Sequence, residues 1–330
     1  MPRLTVATQT LRLAEPFRIT GYVFETADVL VATLDDGTHR GRGEAAGVYY
    51  LGDDLAHMRA QIESARAAIE AGATRDALRT ILPPGGARNA IDAASWELEA
   101  ARAGRPVWQL AGLEPPRALL TTLTVPADTP AAMAAKARGY AGARSIKVKL
   151  TGELDLDLDR VTAIRAARPD VWLGVDGNQG FARADLPRLI EGLVACGVAL
   201  LEQPLPRGAD AELEGLASPI PIAGDESLLS LADVAGAVGR FDVVNIKLDK
   251  CGGLTEGLLM ARAARDLGLG VMVGTMVGTS LATAPGFVLG QLADLVDLDG
   301  PTFLAQDHSP GVSYADGTLF AGADVWGGGA

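Results

Sequence analysis

Six charged residues in the middle of the chain are spaced in a way that could do chemistry: Lys147 and Lys149, then Asp176, Glu202, Asp225 and Lys247. Each closes an apolar run, and the runs lie roughly one βα unit apart, the period of a barrel. A single acid at a strand-to-helix turn can simply cap the helix. Three acids closing successive buried strands, flanked by lysines, need a stronger reason to be there. Adjacent carboxylates repel one another unless a cation sits among them. Hard oxygen donors with room for water and a substrate oxygen suit Mg²⁺. Mn²⁺ satisfies the same donors, and the want of histidine or cysteine disfavours zinc. The chemistry that follows is proton transfer at carbon. A carboxylate substrate on such an ion can lose its α-proton to one lysine, because the ion stabilises the enediolate, and an opposed lysine can return a proton from the other face. The α-carbon is then inverted. Lysine is a poor base at its ordinary pKa of about 10.4, so the ion and Lys147 must favour the neutral form of Lys149.

The strands that carry these residues can be read from the apolar pattern. Runs end at Val125, Leu150, Asp176, Glu202, Asp225, Lys247, Gly274 and Asp297, with helical segments such as Leu154 to Ala167 and Thr255 to Leu267 between them. Eight runs alternating with helices predict a (β/α) barrel. Side chains alternate along a strand, so Ile146, Val148 and Leu150 face the helices while Lys147 and Lys149 point into the barrel mouth. The second and sixth of eight strands are opposed, which places Lys149 and Lys247 on two sides of a cavity with Asp176, Glu202 and Asp225 along the wall between them. Lys149 is nearer the strand end than Lys147, which makes it the base and Lys147 a tuning and substrate-contacting neighbour.

Before Pro115-Pro116 the pattern changes. Leu4 to Leu13 and Asp28 to Leu34 read as strands, Asp35-Asp36-Gly37 as a hairpin turn, and Leu55 to Ala71 and Asn89 to Arg102 as amphipathic helices, an α+β domain. Residues after about Pro310 have no helical pattern, and the tail is expected to return to the first domain. The chain has 330 residues, a formal net charge of −12 and about half apolar residues. That balance argues against nucleic acid or an anionic membrane as partner and leaves a small molecule. Only Cys196 and Cys251 could pair, and the start of the chain runs from Met1 into a strand pattern without an apolar leader. A cytoplasmic protein is expected, and a homo-oligomer is left open.

Lys147-Val-Lys149, Asp176-Gly-Asn178, Leu201-Glu202-Gln203-Pro204, Gly224-Asp225-Glu226-Ser227 and Asn245-Ile-Lys247 followed by Lys250-Cys-Gly-Gly resemble the enolase superfamily, muconate-lactonizing-enzyme subgroup. A lysine base with Mg²⁺ is a known pattern of that superfamily. The resemblance covers nearly the whole chain. It implies a (β/α)7β TIM-like barrel at 116–309, an α+β capping domain at 1–115 and a tail, 310–330, that completes the capping domain. Within the subgroup, Asp297-Leu-Asp299-Gly-Pro301 and the stretch Val244 to Thr255 are similar to the dipeptide epimerases, notably the L-Ala-D/L-Glu type. The resemblance implies Lys149 and Lys247 as catalytic bases and Asp176, Glu202 and Asp225 as Mg²⁺ ligands. It also implies that Asp297 and Asp299 hold the α-ammonium of a dipeptide substrate, an acidic pair that would otherwise suit a turn before Gly-Pro. Thr124 matches a family threonine that contacts substrate, and Met276 is a candidate for the pocket wall.

The chain departs from that pattern in the capping loops. Relatives that prefer a C-terminal glutamate carry arginine in the loop that here reads Ile19-Thr-Gly21-Tyr22-Val-Phe24, and the second loop brings Tyr49 and Tyr50. Arg18 is the one nearby cation. The expected second residue of the dipeptide is therefore apolar or aromatic. Other activities on the same chassis are N-acylamino acid racemisation, o-succinylbenzoate synthesis and muconate cycloisomerisation. A non-catalytic binding barrel is the reading from another class.

Overall fold

The computed structural model describes residues 1–329. It opens on a long antiparallel hairpin, β1 (Arg3–Ile19) and β2 (Tyr22–Asp35), whose register runs from Arg3 opposite Asp35 to Ile19 opposite Tyr22, with a shift between Arg12 and Phe17. The segment expected to be a loop at 19–24 is thus the tip of this hairpin, turned by Thr20 and Gly21. Alternating exposed and buried positions carry the strand pattern further than the apolar run alone indicates. Strand β3 (Arg40–Ala45) pairs with β2. Helices α1 (Leu55–Glu70), α2 (Arg75–Ile81) and α3 (Gly86–Ala103) cover the sheet. Met58, Ile62, Ala65 and Ile69 form one stripe of α1, the spacing of an amphipathic helix, and Asp54 starts it by accepting the His57 N–H. Helix α3 lies close against β3: a Cβ at Gly41 would come within 2.0 Å of the Ala94 carbonyl, so no larger residue fits there.

The second unit is built on β4 (Leu119–Leu120) and eight parallel strands, β5 (Leu123–Val125), β6 (Ser145–Lys149), β7 (Trp172–Asp176), β8 (Leu200–Glu202), β9 (Ile222–Gly224), β10 (Val243–Lys247), β11 (Gly270–Gly274) and β12 (Leu295–Asp297). They neighbour one another in sequence order, and a Thr122 N–H to Val296 carbonyl bond of 2.9 Å brings the last beside the first. The outward residues Ile146, Val148, Val175, Leu201, Ile246 and Val273 join the main apolar core with the surrounding helices. Inside the barrel, Leu200, Ala223, Val243 and Met272 form a separate small cluster. Two of the expected helices are reduced: only a 3₁₀ turn, Asp210–Leu213, follows β8, and a four-residue helix, Leu231–Val234, with a short 3₁₀ turn follows β9.

The tail forms a small hairpin, β13 (Ser313–Ala315) and β14 (Thr318–Phe320), and β14 pairs with β4. Beyond it Trp326 Nε1 donates to the Arg42 carbonyl at 2.9 Å and Arg42 Nη2 to the Val325 carbonyl at 3.0 Å. Buried polar contacts fasten the first unit to the second. Glu44 accepts the Thr279 N–H and hydroxyl at 2.7 and 2.6 Å, Asp249 accepts the N–H groups of Ala46 and Gly47, and Asp92 accepts the Thr255 N–H and hydroxyl. No helix among the described residues is long and apolar enough to cross a membrane.

Candidate active site

The ends of the parallel strands open into a cavity of about 550 Å³ lined by Thr124, Lys147, Lys149, Asn178, Asp225, Glu226, Lys247, Met276, Asp297 and Asp299 from the barrel and by Phe24, Tyr49 and Tyr50 from the first unit. Asp176, Glu202 and Asp225 end or directly follow three adjacent strands. One carboxylate oxygen from each lies within 4.8 Å of the other two, and all three side chains are buried. Such a set is costly without a counter-charge. The compensation within the trio is uneven: burial and the neighbouring Asp176 push Glu202 up to about 7, whereas against burial Lys149 and Lys147 hold Asp176, and Lys247 and Lys250 hold Asp225, below the usual carboxylate range. Three buried hard oxygen donors without a histidine or cysteine fit a divalent cation of the Mg²⁺ kind.

The lysines meet this trio from three directions. Lys149 Nζ donates to Asp176 Oδ2 and Lys247 Nζ to Asp225 Oδ2, each at 2.6 Å. Lys147 Nζ sits between strands, donating to Glu202 Oε2 at 3.2 Å and to Asp297 Oδ2, with Asp176 Oδ2 3.4 Å away. Burial alone would lower its pKa, but Asp297, Glu202 and Asp176 hold it well above the ordinary lysine value. Lys247 is likewise held above that value against burial, chiefly by Asp225. Space for its stem comes from Gly274, where a Cβ would lie 3.0 Å from Lys247 Cε and 2.9 Å from Asn245 Oδ1.

At the first and eighth strands, Asp297 accepts the Thr122 hydroxyl as well as Lys147, and Asp299 accepts the Thr124 N–H at 2.6 Å. Burial and then Asp297 push Asp299 up to about 7. The acidic pair is therefore not a plain turn but part of the cavity. On the opposite wall the rings stack edge to face: Phe24 on Tyr49 at 5.2 Å between centroids, Tyr49 on Tyr50 at 5.1 Å, and Tyr22 on Tyr49 at 4.7 Å. Gly21 and Tyr22 are not among the lining residues. Tyr22 is an exposed outer layer behind Phe24 and Tyr49. Arg18 turns to the exposed Asp128, 3.9 Å away, and lines a separate small cleft, so it does not reach the cavity. No arginine is among the residues lining the cavity.

Sequence reasoning left several supporting residues without a role. Asn245 Nδ2 donates to Glu202 Oε1 at 2.8 Å. Lys250 Nζ donates to the carboxylate and the carbonyl of Asp225. Gln203 Oε1 accepts the Asp225 and Ser227 N–H groups at 2.9 and 3.2 Å. Their signal was alternation, since Asn245 stands two before Lys247, and a lysine one turn into a buried helix start.

Two family models cover almost the whole chain: "Enolase C-terminal domain-like" over residues 131–319, and "Mandelate racemase / muconate lactonizing enzyme, N-terminal domain" over residues 3–112. The chain belongs to the enolase superfamily. Among similar enolase-superfamily proteins, an L-Ala-D/L-Glu epimerase of Escherichia coli is 40% identical over 93% of this chain and 96% of its own length. A hydrophobic dipeptide epimerase of Roseobacter litoralis is 34% identical over 92% and 91%. An enolase family member from Agrobacterium tumefaciens, solved with sodium and L-Ala-L-Glu, superposes with a TM-score of 0.94 at 36% identity over 99% of this chain and 100% of that one. A dipeptide epimerase from Enterococcus faecalis, solved with Mg and L-Leu-L-Tyr, has a TM-score of 0.90 at 28% identity over 96% and 95%.

Proposed function

We propose that this enolase-superfamily protein is a Mg²⁺-dependent dipeptide epimerase that inverts the α-carbon of the dipeptide's second residue. The observation that carries the reading is the placement of Lys149 and Lys247 on non-adjacent strands at either end of the carboxylate trio, each within reach of the same cavity. A divalent ion held by Asp176, Glu202 and Asp225 supplies charge stabilisation for the anion formed when the α-proton leaves. Lys149 and Lys247 serve as the two bases, one removing the α-proton and the other delivering a proton to the opposite face. Each donates to a carboxylate of the trio that would hold the ion, and in either direction of inversion one lysine would act as the amine that accepts the α-proton and the opposed one as the ammonium that supplies a proton. Lys147 stays cationic and bridges Glu202 to Asp297. Asp297 and Asp299, with Thr124 beside them, receive the α-ammonium, and Met276 forms part of the pocket wall.

The cavity wall of Phe24, Tyr49 and Tyr50, with no arginine lining it, supports an apolar or aromatic second residue rather than glutamate. A dipeptide library in D₂O, followed by mass, tests both statements. The expected result is Mg²⁺-dependent deuterium uptake, lost on chelation, and faster for L-Ala-L-Phe or L-Ala-L-Leu than for L-Ala-L-Glu. Faster turnover of L-Ala-L-Glu rejects the side-chain preference, and no exchange with any free-amino dipeptide rejects the epimerase. Two unpaired cysteines support a cytoplasmic setting, checked by cell fractionation, and sedimentation would decide whether copies associate.

A further inference from the structure

Two buried polar side chains in the cavity have no part in the chemistry above. Asn178 follows Asp176 by two residues and Glu226 follows Asp225 by one, and their side chains meet, Asn178 Nδ2 donating to Glu226 Oε1 at 3.2 Å. Both are more than nine-tenths buried and line the cavity. Among the described residues that bond is the one side-chain hydrogen bond either makes, because Asn178 Oδ1 and Glu226 Oε2 have no partner. Its placement matters because β7 and β9 do not pair with each other; β8 lies between them. The sheet therefore sets the spacing of Asp176 from Glu202 and of Glu202 from Asp225, but the outer two are joined directly only by the loops above. Asn178 also holds Asp176 itself, its N–H donating to Oδ1 at 2.9 Å, and does so from a left-handed backbone with φ of 41°. Asparagine tolerates that conformation better than most residues, though at some cost, and such outliers persist where their surroundings fix them.

We propose that Asn178 and Glu226 are positioning residues, a strut between the third and fifth strand ends that sets the gap between Asp176 and Asp225 and thereby the affinity for the divalent ion. The inference rests on those carboxylates taking an ion, as proposed above. It makes the direction of the hydrogen bond exchangeable and its presence essential. Groups that orient metal ligands in this way change affinity by about 10- to 100-fold when removed.

The test measures Mn²⁺ binding to the metal-free full chain by electron paramagnetic resonance of the free ion, without dipeptide. Asn178→Gly, which keeps the left-handed backbone open, should weaken Mn²⁺ binding about 10-fold or more, with the melting temperature of the metal-free chain little changed. Glu226→Gln should stay close to the wild type because its amide oxygen accepts the same bond. The double variant Asn178→Asp with Glu226→Gln has the wild-type net charge and reverses donor and acceptor, so it should bind far more tightly than Asn178→Gly. Wild-type affinity in Asn178→Gly overturns the strut, as does a double variant no better than Asn178→Gly. Equal weakening in Glu226→Gln overturns it too, since the charge of Glu226 would then be what matters. A wild-type chain that takes up no Mn²⁺ overturns the metal reading itself, and the strut with it.

Discussion

At the barrel mouth, Lys147, Lys149, Lys247 and Lys250 each donate to a buried carboxylate, and Glu202 and Asp225 are each held by two or more donors. Across the cavity, Tyr22, Phe24, Tyr49 and Tyr50 meet ring to ring, and the Tyr50 hydroxyl has no partner. Charges removed from water must be paired, so the mouth is a network in which every member constrains the next. Ring contacts constrain little beyond separation and tilt. Under the proposed function, the contrast would leave the fixed chemistry to the barrel and the adjustable choice of side chain to the first unit.

A network of this kind cannot spare either opposed lysine. Lys149→Ala and Lys247→Ala should each fold and each lose inversion by about 10³-fold or more, while the surviving lysine still exchanges the α-proton of one stereoisomer. Full turnover in either variant, read by polarimetry with deuterium uptake, would end the two-base account. A charge placed on the adjustable wall sharpens the contrast next. Phe24→Arg should move the ratio of kcat/KM for L-Ala-L-Glu over L-Ala-L-Phe by about 10²-fold towards glutamate, the scale of a buried charge-assisted pair. An unchanged ratio would mean that position 24 does not meet the side chain. Tyr49→Ala should raise KM for L-Ala-L-Phe about 10-fold with kcat nearly constant, the loss expected from one partly buried ring. A fall in kcat alone would assign Tyr49 to the chemistry instead.

An effect on stability rather than on turnover belongs to the seam between the two units. Burial pushes Asp92 up to about 6 even though Thr255 donates to it, against an ordinary carboxyl value of about 3.9. Between those values the folded chain keeps a proton that the unfolded chain has lost, so stability falls as pH rises from about 4 to about 6. The share of Asp92 is of order 1–3 kcal/mol. Urea denaturation at several pH values should show a shallower fall in Asp92→Asn, and an unchanged slope would exclude this group.

The barrel and its charged mouth were legible because strand alternation is strict. Lys147 and Lys149 could not both face the helices, and the apolar runs ended within a residue of β6, β7, β8, β9 and β10. The hairpin tip at 19–24 was not legible as such, since β1 is half exposed and its apolar run stops short of Phe17. Nor were the reduced helices after β8 and β9, where the segments are short and turns compete with helix formation. Asn245, Gln203 and Lys250 escaped because their partners stand on neighbouring strands or loops, and a single sequence names the residues but not who sits opposite.

Gly274 gives the active site a mark of another kind. A methyl carbon there would meet the Asn245 amide oxygen at 2.9 Å and Lys247 Cε at 3.0 Å, both near the ends of flexible side chains, so each would have to give way by a few tenths of an ångström. The bare backbone of the seventh strand therefore sets how far the amine of the sixth leans, and a chain of this architecture with alanine there would hold that amine slightly displaced.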